Sequence, residues 1–190
     1  VTVLTPPRHP LVDDALADAR RWCAGHVIDS RPALTHAVRV AVLLGEHLTD
    51  PDPQLIAAAL LHDAPEFAPA DLDLDEVLER RYGRHVVRIV RALATEHHAL
   101  DTATPTILVP DAAVLLVSTA DKIVALTSLA RRAEASGDPE GFFATRAALL
   151  SLIPAFQAFR AAGAGRVPAS MSDALGLALD TLPLPAGARA

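Results

Sequence analysis

Four side chains of this chain could share one divalent ion: His36, the adjacent pair His62 and Asp63, and Asp121. Imidazoles and carboxylates together suit borderline to hard dications, so manganese, iron, cobalt, zinc and magnesium all remain open by ligand type alone. Each residue interrupts an apolar helical pattern. His36 lies within THAVRVAVLL, His62 and Asp63 within IAAALLHDAPE, and Asp121 within VLLVSTADKIVAL. Polar groups in such surroundings are costly unless satisfied, and a metal satisfies several at once. Singly, each has a plainer reading, such as a hydrogen-bonded core histidine or a surface ion pair between Asp121 and Lys122. Together they favour a metal centre drawn from three helices.

Glu66 follows His62 by four positions and Asp63 by three, a spacing that projects it over the same helix face. A carboxylate there can orient or deprotonate a water at the metal, for attack on a phosphoryl group. Capping of the following loop is the structural alternative. The pair His97-His98 invites a second metal, but the spacing supplies no further convincing ligands, and an exposed helix end is the expectation.

The elements that must position these groups read as helices nearly throughout. Alanine, leucine and arginine abound, and alternating β-branched runs are almost absent. Helices are predicted at 10–25, 33–48, 53–65, 74–98 with a break near Gly83, 111–135, 139–161 and 171–181. Asp52-Pro53 and Asp138-Pro139 are start signals, a capping carboxylate followed by proline at the first helical position. No strong strand candidate appears, ILVP at 107–110 being too short to matter. Both ends, LTPPRHP and LPLPAGARA, are expected to be extended or frayed.

With 190 residues, the chain is expected to form one all-α domain with a shared core. The apolar faces of 139–181 are expected to complete that core. A contact between copies of the chain is the alternative use for them. The apolar residues fall in periodic segments, which argues against a membrane span. The start VTVLTPPRHP lacks a basic region followed by an apolar one, so a cytoplasmic location is expected. A net charge of −6, with Lys122 the only lysine, argues against nucleic-acid binding, which needs a basic face. The single cysteine, Cys23, excludes an internal disulfide and is read as a small buried hydrophobe.

From about Arg20 to Arg132 the chain resembles the HD superfamily of metal-dependent phosphohydrolases, whose pattern is a histidine, then His-Asp, then a distant aspartate. Spacings of 26 positions from His36 to His62 and 58 from Asp63 to Asp121 resemble most the hydrolase domain of the RelA/SpoT family, small alarmone hydrolases included. AAALLHDAPE, LDEVLERRYGRHVVRIVRALATEH and STADKIVALTSL carry the likeness. It implies a single helical HD-domain bundle and manganese as the ion. It also implies a phosphorylated nucleotide as small-molecule substrate, first a guanosine nucleotide with a 3′-pyrophosphate.

The chain departs from that pattern at Phe67, where the family has an aspartate, and at Ala125, where it has an asparagine. The basic stretch before the first histidine is reduced to Arg31. Substrate contacts, not metal ligands, are what these changes affect. A second HD branch, the 5′-deoxynucleotidases, has an aspartate five positions after the glutamate, as Asp71 follows Glu66. Candidate substrate contacts are therefore Asp71, Arg31 and Lys122. Alarmone hydrolysis stands first, with nucleoside monophosphate cleavage and a non-catalytic nucleotide sensor as alternatives. Oxygenase chemistry on two irons would need more histidines near His62-Asp63, and none follows before His85.

Overall fold

The computed structural model describes residues 3–28, 31–100, 102 and 111–183. ILVP at 107–110 and nearly all of the C-terminal LPLPAGARA lie outside the described residues.

The architecture is an all-α bundle built around one short apolar helix, α3 (Pro53–Leu61). Asp52 accepts a hydrogen bond from the Gln54 amide at 2.8 Å and Pro53 opens the first turn, so the helix starts where its cap signal lies. Residues 55–61 are all buried, as they must be in a helix covered on several sides. Its neighbours are α1 (Pro10–Trp22), α2 (Ala33–His47), α6 (Arg84–Leu100) and α7 (Ala112–Ala135). On α1 the buried Val12, Ala15, Leu16, Ala19 and Trp22 recur at helical spacing, and α2 presents Ala33, Ala37, Val40, Ala41 and Leu44 in the same way. Both stripes close on α3.

The predicted helix at 74–98 is broken where expected. Gly83 sits at φ 87° between α5 (Leu74–Tyr82) and α6, a conformation that a β-carbon would strain. Buried Asp18 on α1 accepts a 2.6 Å hydrogen bond from the Tyr82 hydroxyl and pairs with Arg81, which ties α5 to α1.

Three expectations need correction. The helix predicted to 65 ends at Leu61, and a separate turn of helix, α4 (Ala64–Phe67), follows. Pro65 is the reason, since it lacks an amide hydrogen and is tolerated only in a first turn. The stretch 139–161 is three pieces, α8 (Pro139–Ala144), α9 (Ala147–Leu150) and α10 (Ile153–Ala162), and Pro154 again lies in the first turn of the last. Finally, the helix predicted to 25 stops at Trp22 as α1, and a minimal antiparallel pair, β1 (Val27–Ile28) with β2 (Arg31–Pro32), follows where no strand was predicted.

The final helix is α11 (Ala169–Asp180). Phe143, Ile153, Phe156, Phe159, Met171, Leu175 and Leu179 from 139 onward join the same buried cluster as α1–α7. By length and composition α7 could cross a membrane, but 67% of its most apolar window is buried inside the bundle.

Candidate metal centre

Where α3 runs out, the backbone keeps nearly helical angles through His62 and then tightens at Asp63, so both side chains emerge beside the base of α2 and the middle of α7. His36 Nε2 lies 2.8 Å from Asp121 Oδ1. His62 Nε2 lies 3.3 Å from Asp63 Oδ1 and 3.8 Å from Asp121 Oδ1. The four residues proposed from the sequence are therefore brought together.

Two buried atoms in this cluster have no hydrogen-bond partner, His62 Nε2 and Asp63 Oδ2. His62 Nδ1 donates to the Ala59 carbonyl at 2.8 Å. A carbonyl can only accept, so the proton resides on Nδ1 and Nε2 is left to offer its lone pair. A lone pair turned toward two carboxylates in a dry site is unfavourable unless a cation lies between them. The donor set, the fixed tautomer and the two unpartnered atoms all fit a divalent ion.

The electrostatics agree. Burial alone would raise Asp121, yet hydrogen bonds from His36 and His97 hold it well below the usual carboxylate range. Burial pulls His36 down, but its bond to Asp121 and the charges of Asp121 and Asp63 raise it on balance.

His97 departs from its expected place. It lies not on an exposed helix end but against the cluster, with Nε2 3.3 Å from Asp121 Oδ2 and Nδ1 4.0 Å from Asp63 Oδ1 and 3.9 Å from Glu66 Oε1. Burial lowers its pKa, but the bond to Asp121 and the charges of Asp121 and Asp63 outweigh this and raise it to about 9. Asp63, Glu66 and His97 form a donor group beside His36, His62 and Asp121, and within each group the ligand atoms lie within 4.8 Å of one another. The available signal was periodic: Glu96 and Leu93 are buried on α6, so a neighbour such as His97 sits at the edge of that face. Its neighbour His98 is exposed and, among the described residues, bonds the Ala94 carbonyl.

Glu66 stands at the rim, its side chain 53% exposed. With His97 and Asp121 it borders a cavity of about 330 Å³ whose far wall is Leu126, Leu129, Leu149, Leu152 and Phe156. Lys122 borders it too, but its ammonium is buried against Glu96, donates to Ser118 Oγ at 2.8 Å and lies 4.5 Å from the Phe159 ring centre. Arg31, on β2, is exposed and shares a surface hollow with His36. Asp71 is exposed in the turn between α4 and α5, with no hydrogen bond or ion pair to the cluster among the described residues. Phe67 has a packing role, its ring centre 4.8 Å from that of His26.

Residues 15–105 match the family model of the HD domain. The chain carries an HD domain. The matched span holds His36, His62, Asp63, Glu66 and His97, and Asp121 reaches the HD cluster from α7 beyond it. A solved structure described as a metazoan ortholog of SpoT that hydrolyzes ppGpp is similar over 93% of this chain and 97% of that one, with a TM-score of 0.63 and 17% identity. That likeness is one of fold, and it extends past the HD match through the later helices. No match is found among the curated proteins.

Proposed function

We propose that this HD domain is a divalent-metal-dependent phosphohydrolase of phosphorylated nucleotides, and that its first substrate is a guanosine nucleotide hydrolysed at a 3′-pyrophosphate. The observation that carries the reading is the pair of buried, unpartnered ligand atoms, His62 Nε2 and Asp63 Oδ2, in the cluster that also holds His36 and Asp121. These four residues would hold the ion, manganese by preference. Such an ion polarises a phosphoryl oxygen and makes water a competent nucleophile near neutral pH.

The chain's own groups supply the rest. Glu66 sits at the mouth of the cavity on the turn after Asp63 and takes the proton of the attacking water. His97 donates to Asp121 Oδ2 and thereby keeps Oδ1 turned toward His36 and His62. The leucine and phenylalanine wall excludes bulk water and receives the apolar faces of the substrate. Resemblance to the alarmone branch supports the choice of nucleotide. Asp71, the residue that suggested a monophosphate nucleotidase, is exposed and outside the cluster, so that reading stands second.

The test is a manganese-supplemented screen of nucleoside monophosphates, NADPH and guanosine tetraphosphate, scoring phosphate and pyrophosphate separately. Pyrophosphate from guanosine tetraphosphate is the expected product, whereas phosphate from monophosphates would select the nucleotidase reading. Nucleotide binding without release of either would select a sensor. Substituting Glu66→Gln should leave metal binding intact and abolish turnover, while His62→Ala and Asp121→Ala should lose the metal. Full turnover by the Glu66→Gln protein would remove Glu66 from the mechanism.

A further inference from the structure

Seven of the sixteen arginines in this acidic chain pair with a carboxylate among the described residues, as Arg8 does with Asp13, Arg81 with Asp18 and Arg91 with Asp75. Arg31, Arg39 and Arg131 do not: among the described residues none of the three forms an ion pair. They are nevertheless not scattered. Arg31 and Arg39 line a hollow of about 60 Å³ that also touches the metal-cluster residue His36. Arg39 and Ser128 continue into a second hollow of about 190 Å³ that reaches Arg131. The two hollows form one groove between α2 and α7, the helices that carry His36 and Asp121.

Helical spacing explains the alignment. Arg39 is three positions after His36 and so lies on the same face of α2. Arg131 follows Asp121 by ten positions, so the groove runs about 15 Å along α7 from the ligand at 1.5 Å per residue. Glu46 is the acidic group in the outer hollow, leaving three guanidiniums against one carboxylate. Ala125 borders both this groove and the apolar cavity.

We propose that Arg31, Arg39 and Arg131 bind a second phosphate group of the substrate, remote from the one at the metal cluster. Guanidiniums left without internal partners beside a hydrolytic centre match phosphate oxygens in charge and fork geometry. This rests on the phosphohydrolase reading and narrows it. The substrate carries phosphates at two positions, one held for cleavage and one held in the groove.

The decisive measurement is steady-state kinetics with manganese on two probes, guanosine tetraphosphate and guanosine 3′-diphosphate, which lacks the 5′ phosphates. For the first probe, Arg39→Gln should raise KM about tenfold or more with kcat little changed, the loss expected for one charge-assisted hydrogen bond. For the second it should change neither, and Arg39→Lys should restore part of the loss. Arg131→Gln, at an exposed position, repeats the test should Arg39→Gln fail to fold. An unchanged KM, or an equal rise on both probes, would overturn the assignment. If the wild-type protein hydrolyses neither probe, the functional reading fails on its own, and titration of the chelated protein with inorganic pyrophosphate then decides the groove. Binding that Arg39→Gln abolishes supports it, and absence of binding overturns it.

Discussion

His97 Nε2 lies 3.3 Å from Asp121 Oδ2, the oxygen opposite the one that faces His36. The two histidines thus grip Asp121 from both sides, and the carboxylate cannot rotate without losing one of them. Outer partners that orient a metal-binding carboxylate typically change metal affinity by about 10- to 100-fold when removed. His97→Ala should therefore weaken manganese binding by about that factor while leaving one ion per chain, as read by titration calorimetry. A wild-type stoichiometry of two ions, falling to one in the variant, would instead make Asp63, Glu66 and His97 a site in their own right.

Burial and the negative charge of Asp63 push the Cys23 thiol up to about 11. The neutral thiol is favoured in the fold, so above the ordinary thiol value of 9.0 the unfolded chain gives up this proton first. Stability should fall as pH rises from about 9 to 11 and be indifferent to Cys23 below that window, with a slope of at most about 1.4 kcal/mol per pH unit from this group. Urea unfolding of wild type and Cys23→Ala at pH 8 and pH 10.5 checks the sign. The wild type should lose more between the two, and parallel losses would remove Cys23 as the cause. Alkylation of the folded protein at pH 8 should be slow for the same reason.

The gathering of the His-Asp cluster was legible because its residues interrupt otherwise apolar helices, and interruption is a local signal. His36, His62, Asp63 and Asp121 each stand out against their own helix, as do the Asp52-Pro53 and Asp138-Pro139 starts. What failed to show was whatever depends on a partner far away in the chain. His97 looks like part of a polar helix end until α7 brings Asp121 against it. Nothing near Lys122 in the chain announces the buried ion pair it makes once α6 places Glu96 against it. The breaks at Pro65 and Pro154 follow from proline chemistry, but the flanking apolar periodicity continues across them and masks them. The arginine groove is the extreme case. Arg39 and Arg131 are 92 positions apart, and only the packing of α2 on α7 makes them neighbours.

Lys122 and Glu96 form a buried ion pair one residue from the metal-cluster residue Asp121, with Ser118 Oγ 2.8 Å and 2.9 Å from the two Glu96 oxygens. Removing one member strands a charge away from water, which typically costs about 3–5 kcal/mol, whereas replacing both with apolar residues is often close to neutral. Glu96→Ala should therefore lower the unfolding free energy by about that amount, and Glu96→Leu combined with Lys122→Met should recover most of it. The same double variant separates two roles for Lys122. If the ammonium serves only to anchor α7 to α6, manganese affinity and the KM for nucleotide stay within about threefold of wild type. If stability recovers but KM rises by tenfold or more, Lys122 reaches the phosphate through the cavity it borders.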